Sequence, residues 1–77
     1  MDQLTYEKLT EVFGHLEAEM IESLLEAEGI DVELIQASIE HSSFVTMMGR
    51  VQIFVPKDKV HEAREWLKIY REGIQEE

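Results

Sequence analysis

The strongest constraint on the fold of this chain is a helix pattern that ends in a glycine and leads directly into an alternating segment. In residues 17–30, EAEMIESLLEAEGI, apolar side chains recur at helical spacing, and carboxylates stand near the start, where the helix dipole favours negative charge. Gly29 can adopt the left-handed conformation that ends a helix, and Ile30 can pack back on the last turn as in a Schellman motif. We therefore predict a helix whose apolar face holds Ala18, Ile21, Leu24 and Leu25, and which stops at Gly29.

Three segments have the composition or the alternation of strands. Tyr6–Phe13 mixes aromatic and β-branched residues with charges, although its alternation is imperfect. A second strand is predicted where Ile30, Val32 and Leu34 alternate with acidic residues. A third is predicted where Val51, Ile53 and Val55 alternate with Arg50, Gln52 and Phe54, ending at Pro56, which cannot donate to a sheet ladder.

A second amphipathic helix is predicted to close the chain. Its apolar positions are Val60, Ala63, Leu67 and Tyr70. Asp58 stands near its start, and Gly73 is expected beyond its end, so that the pair Gly73-Ile74 repeats Gly29-Ile30.

The predicted order of strand, helix, strand, strand and helix indicates a single α+β domain over residues 1–77. A split βαβ arrangement of this kind is typical of a ferredoxin-like βαββα(β) fold, with an antiparallel sheet and both helices on one face. The chain ends in Gln75, Glu76 and Glu77, so the fourth strand is expected to be missing or rudimentary. One edge of the sheet would then lack its neighbouring strand and would need another element or another protein to cover it.

Charge and composition limit the classes of function. Seven basic against 17 acidic residues give a formal net charge of −10, which disfavours nucleic acid and anionic membranes as partners. The chain has no Cys and no apolar run long enough to cross a bilayer, and no signal peptide is recognised. We therefore expect a cytoplasmic protein that binds neutral or basic partners.

No residue constellation predicts catalysis, a metal or a cofactor. His15, His41 and His61 lack paired spacing on one helix, and Ser42, Ser43 and Thr46 lack an oxyanion signature. The carboxylates of Glu19, Glu22 and Glu26 share one helix face. An ordinary solvent-exposed face explains this cluster as well as a functional site does. Most of the positive charge lies in or near the second helix, where it either balances the acidic first helix or forms an anion site: Lys57, Lys59, Arg64, Lys68 and Arg71.

The connection at residues 38–49, SIEHSSFVTMMG, is the main candidate for a partner contact. It is long for a hairpin, where two to five residues are usual. Its apolar residues Phe44, Val45, Met47 and Met48 either dock a partner, fold back on the core, or belong to extensions of the second and third strands. Phe54 alternates out of phase with Ile53 and is expected on the sheet face without helices, where Tyr6 or Ile35 can join it. An exposed apolar face and an uncovered edge together favour a homo-oligomer.

The order of these features resembles a small family described as prokaryotic signal-transducing proteins, a domain of unknown function. The resemblance covers nearly the whole chain and rests on Leu9, Glu17-Ala18, residues 24–30, residues 49–56 and Glu62-Ala63-Arg64. It implies a ferredoxin-like fold related in shape to the PII nitrogen regulators, in which the loop at residues 38–49 corresponds to the partner-contacting loop. A PII nucleotide site uses glycines and basic side chains around the phosphates, whereas this chain has no glycine-rich loop and few basic residues outside the second helix, so ATP binding is not implied.

Together these observations predict a non-enzymatic regulatory or signal-transducing module that binds a protein partner, itself, or both, without a cofactor. The alternative is a small-molecule sensor whose ligand lies between subunits near residues 38–49. The sequence does not name that ligand.

Overall fold

In the computed structural model of the chain, residues 5–36 and 49–75 are described. They form an α+β fold with a three-stranded antiparallel sheet and two helices. The elements in chain order are β1 (Tyr6–Phe13), α1 (His15–Ala27), β2 (Glu33–Gln36), β3 (Arg50–Pro56), a 3₁₀ turn (Lys57–Lys59) and α2 (Val60–Gln75). The predicted bounds of β1 and β3 are confirmed.

The strand order in the sheet is β1-β3-β2, with antiparallel pairing at both junctions. β1 and β2 are therefore parallel to each other, and β3 lies between them. A helical crossover through α1 joins these two parallel strands, as such a connection requires. Within the described residues, one side of β1 and one side of β2 have no neighbouring strand.

A bulge explains why the alternation of β1 is imperfect. Lys8 pairs with Phe54 and Thr10 pairs with Ile53, so Leu9 is the extra residue on β1. Leu9 and Val12 are both buried although they are three positions apart, which strict alternation does not allow. The bulge therefore reverses the phase of the strand and places Glu11 and Phe13 on the same face as Lys8.

The two helices cover one face of the sheet and enclose one apolar core. Val51, Ile53 and Val55 of β3 are at most 1% exposed and lie against the buried positions of both helices. Burying one such side chain contributes about 1.5–3 kcal/mol. The remaining members of the core are Leu9, Val12, Ala18, Ile21, Leu25, Ile30, Val60, Ala63 and Leu67.

The predicted stop of α1 at Gly29 is confirmed. Gly29 has φ of 82°, its N–H donates to the carbonyl of Glu26, and the N–H of Ile30 donates to the carbonyl of Leu25, each at 3.0 Å. These are the two hydrogen bonds of a Schellman motif. Ile30 is 1% exposed and belongs to the same core as Leu25, so the chain is held by an apolar contact just beyond the turn.

The start predicted for β2 was wrong. Within residues 5–36, the part of this segment that pairs with β3 is Glu33–Gln36, whereas Ile30 to Val32 lie outside the ladder. The N–H of Ile30 already donates to the carbonyl of Leu25 at the end of α1, so it is not available to the sheet. The side chain of Asp31 accepts a hydrogen bond from the Tyr6 hydroxyl.

Two expectations about the helices were also wrong. Gly73 lies inside α2, which runs to Gln75, and it does not have a positive φ. A single glycine costs a helix only about 1 kcal/mol relative to Ala and does not end it without further contacts. Leu24 is half-buried instead of belonging to the core, because the buried face of α1 is centred on Ala18, Ile21 and Leu25.

No helix in the described part of the chain has the length and apolar character needed to cross a membrane.

Candidate binding surface

The sheet face opposite the helices, here named the bare face, is defined by the strand register. Residues directly opposite each other in an antiparallel pair point to the same face. Phe54 pairs with Lys8 on one side and with Glu33 on the other, while Gln52 pairs with Glu11 and Ile35. The bare face therefore carries Tyr6, Lys8, Glu11, Phe13, Glu33, Ile35, Arg50, Gln52 and Phe54.

Three apolar side chains stand out on this face. Phe13 on β1 is 66% exposed and Ile35 on β2 is 46% exposed, while Phe54 on the central strand is half-buried. The register places them at different levels, because Phe13 lies opposite Arg50 and Ile35 opposite Gln52. Phe54 does not belong to the core, which lies on the other side of the sheet. Each of the three strands contributes one of these side chains, so the bare face has an apolar group on every strand.

Charged side chains surround these apolar groups at the β1 side of the bare face. Nζ of Lys8 donates to Oε1 of Glu11 at 2.8 Å, and Nη1 of Arg50 donates to Oε2 of Glu11 at 3.4 Å. The Arg50 guanidinium lies 5.8 Å from the centroid of the Phe13 ring, within the range of a cation–π contact. The hydrogen bond from Lys8 is the largest cause that lowers the pKa of Glu11. Burial opposes it, and the positive charges of Lys8 and Arg50 add to the lowering.

Tyr6 lies at the end of the bare face where β3 terminates. Its hydroxyl donates to Oδ2 of Asp31 at 3.2 Å, which ties β1 to the segment that precedes β2. Partial burial is the main cause that raises the pKa of Tyr6, and the hydrogen bond to Asp31 and the charges of Asp31 and Glu33 act in the same direction. The phenol is therefore neutral at physiological pH and serves as a hydrogen-bond donor.

The structure brings together only part of the predicted partner surface. Phe54 lies on the bare face, where the alternation of β3 placed it, and both Tyr6 and Ile35 share that face. The other four residues lie outside the described residues, so their part in a partner contact stays a prediction: Phe44, Val45, Met47 and Met48. The same holds for a ligand site near residues 38–49.

The remaining sequence candidates do not assemble into a reactive or metal site in the described residues. Among residues 5–36 and 49–75, no group of three or more His, Asp or Glu side chains could hold a metal ion. Nε2 of His15 lies 3.0 Å from Oε1 of Gln36 in a hydrogen bond that requires the proton on Nε2, whereas His61 is exposed on α2. His41, Ser42, Ser43 and Thr46 lie outside the described residues.

Three cations of α2 gather beside β1. Arg64, Lys68 and Arg71 line a cavity of about 470 Å³ together with Leu9 and Thr10. Nη2 of Arg71 donates to Oγ1 of Thr10 at 3.3 Å, which links the helix to the outer strand. Two carboxylates, from Glu65 and Glu72, line the same cavity and offset much of its positive charge. The anion site therefore remains a prediction.

Sequence reasoning missed several exposed apolar residues. Phe13 was assigned to β1 but not to the bare face, because the imperfect alternation of β1 was not interpreted as a bulge that reverses the phase of the strand at Leu9. Leu16 and Met20 of α1 are 73% and 48% exposed. With Leu24 they form a second apolar stripe at spacings of four, a signal that could have been found beside the core stripe.

No family model matches this chain, and neither the curated proteins nor the solved structures contain a significant match to it. The resemblance to the signal-transducing family stays a prediction.

Proposed function

We propose that this chain is a non-enzymatic protein-binding module of a regulatory or signal-transducing kind, which self-associates through the bare face. The observation that carries the proposal is the exposure of Phe13 and Ile35, on the same sheet face as the half-buried Phe54 and away from both helices. Apolar groups on three strands that no other element of residues 5–36 and 49–75 covers are favourable to bury against another protein surface.

The sheet order supports a ferredoxin-like βαββα(β) fold. In that fold β3 lies between β1 and β2, both helices lie on one face, and the fourth strand pairs with the outer edge of β1. The first two features agree with the β1-β3-β2 order and the single core of this chain. Because neither helix of the described residues covers the bare face, an association of two sheets face to face would bury it without disturbing the core.

A second copy suits the charges of this face. Lys8 and Arg50 supply positive charge, and Glu11 and Glu33 supply negative charge, all on the same surface. A two-fold symmetric contact is made by the same patch on both subunits, so the cations of one copy can lie opposite the carboxylates of the other. Glu11 is already paired with Lys8 and Arg50 within one copy, so a face-to-face contact adds partners for Glu33 and for the remaining N–H donors of Lys8 and Arg50.

The test compares the mass in solution of wild type with that of the Phe54→Lys variant. Phe54→Lys adds a charge at the centre of the contact, and we expect the wild type to gain mass with protein concentration while the variant stays monomeric. Ile69→Lys is the matched control, because Ile69 is 56% exposed on α2, away from the bare face, and this variant should behave as wild type. Analytical ultracentrifugation measures the mass, and circular dichroism checks that each variant is folded.

Two results would contradict self-association through this face. One is a wild type that remains monomeric at every concentration. The other is a folded Phe54→Lys variant whose mass rises with concentration as that of wild type does.

A further inference from the structure

A shallow apolar groove lies between the two helices, on the side of the molecule away from the bare face. It has a volume of about 550 Å³ and is lined by Leu16, Glu19, Met20, Ser23 and Leu24 of α1 and by Tyr70 of α2. The groove is separate from the core, because the core positions of α1 are Ala18, Ile21 and Leu25.

The apolar wall of this groove is not required by the packing of α1 on the sheet. An amphipathic helix needs one apolar stripe to bury, and the stripe through Ile21 and Leu25 serves that purpose. Leu16, Met20 and Leu24 recur at spacings of four and form a second stripe that turns toward Tyr70. Leu16 is 73% exposed and Met20 is 48% exposed, so this second stripe is available to a partner.

The charge around the groove is negative. α1 carries four glutamates and no Lys or Arg between His15 and Ala27. Glu19 lines the groove itself, and Glu22 and Glu26 lie on the adjacent side of the helix. Burial is the main cause that raises the pKa of Glu22, and the negative charges of Glu26, Glu19 and Glu33 act in the same direction. The cations of α2 lie elsewhere, around the cavity beside β1.

We propose that this groove binds a cationic amphipathic helix of a partner protein. The apolar side of such a helix would place its side chains at i, i+3 or i+4 and i+7 against Leu16, Met20, Leu24 and Tyr70, and its Lys and Arg residues would face the glutamates of α1. Met is suited to this contact because its flexible thioether adapts to different side chains. A second copy is disfavoured as the occupant, because α1 would then meet the negative charge of a chain with a net charge of −10.

The proposal rests on the protein-binding part of the proposed function and not on self-association. Its groove lies on the opposite side of the sheet from Phe54, so either surface can fail its test without the other.

The probe is a synthetic peptide of about four helical turns, ~14 residues, built from Leu and Lys in an amphipathic order. A scrambled peptide of the same composition has the same charge without the apolar stripe. We expect the amphipathic peptide to bind at least about tenfold more tightly than the scrambled one, as measured by fluorescence anisotropy at moderate salt concentration. Equal binding of both peptides would overturn the proposal, because it would show attraction by charge alone.

Variants locate the peptide on the molecule. Leu16→Ser combined with Met20→Ser should weaken binding of the amphipathic peptide by about tenfold or more, whereas Ile69→Ser, which changes an exposed residue that does not line the groove, should not. Glu19→Gln should weaken binding less and should reduce its dependence on salt. Unchanged binding by the folded double variant would overturn the proposal.

A measurement on the wild type keeps the test independent of any folding defect in the variants. An amphipathic peptide carrying a nitroxide label should broaden the amide NMR signals of Leu16, Met20 and Leu24. Broadening centred on Phe13 and Ile35 would assign the peptide to the bare face and overturn the proposal. So would a double variant that is folded but of lower mass than wild type, since the groove would then be a contact between copies.

Discussion

The two helices of this molecule pack in the same way against the core, but they differ in how they end and in the charge they carry. Each buries three residues against the same sheet face, Ala18, Ile21 and Leu25 in α1 and Val60, Ala63 and Leu67 in α2. Each also carries a glycine near its C-terminal end. α1 stops at Gly29, whereas α2 continues through Gly73.

The difference shows that a glycine permits a helix stop without causing one. Gly29 is followed by Ile30, which is buried, and two backbone hydrogen bonds close the last turn of α1. Burying Ile30 contributes about 1.5–3 kcal/mol, more than a further turn of helix would be expected to add. At Gly73 the backbone stays helical, and the cost of one glycine is tolerated.

The largest expected effect on stability concerns the core packing that both helices share. Leu25→Ala in α1 and Leu67→Ala in α2 should each reduce the free energy of unfolding by about 2–4 kcal/mol, since both remove a buried side chain and leave a cavity. Urea denaturation followed by circular dichroism measures both. Leu16→Ala, at a position that is 73% exposed, is the control and should change stability little. A Leu16 variant less stable than the Leu25 variant would reverse our assignment of the faces of α1.

The next effect tests how the helices differ, and here the two substitutions should have opposite signs. Gly29→Ala forces a side chain into a left-handed conformation and should cost about 1–2 kcal/mol. Gly73→Ala should stabilise the protein by up to about 1 kcal/mol, because Ala is the better helix former and an added Cβ at this position meets no atom within 4 Å. Thermal and urea unfolding of both variants provide the measurement. The same sign for both variants would mean that the two glycines are not in different conformations.

The smallest effect concerns the carboxylates grouped on α1. The pKa of Glu22 is raised in the folded state, so the ionised form is disfavoured by folding. Glu22 therefore costs stability above its folded pKa, and that cost disappears as the pH falls below its ordinary value of 4.5. We expect Glu22→Gln to be slightly more stable than wild type at neutral pH and equal to it below that value. Urea midpoints measured across this pH range decide the sign.

Glu11 on the bare face supplies the opposite case as a control. Its pKa is lowered, mainly by the hydrogen bond from Lys8, so the ionised form is favoured by folding. Glu11→Gln should therefore be less stable than wild type at neutral pH, and the difference should vanish as the pH falls through the folded pKa. A Glu22 variant that is less stable than wild type at neutral pH, as the Glu11 variant should be, would contradict a raised pKa of Glu22.

The candidate surface was only partly predictable from the sequence. Strict alternation along β3 placed Phe54 on the bare face, and this placement is confirmed. The same reasoning missed Phe13, since the bulge at Leu9 reverses the phase of β1. It also assigned Leu24 to the core, because periodicity gives the angle of a side chain around a helix but not the width of the contact with the sheet.

Interactions between residues that are close in the sequence determined the bounds of β1 and β3, the faces of β3 and the stop of α1 at Gly29. In each case the decisive interaction lies within a few residues, as in the Schellman hydrogen bonds between Gly29, Ile30 and the last turn of α1. The tertiary structure decided the remainder: the later start of β2, the passage of α2 through Gly73 and the groove between Met20 and Tyr70. These features depend on where distant segments meet, and the free energy of such contacts is a property of the packed molecule and not of any local pattern.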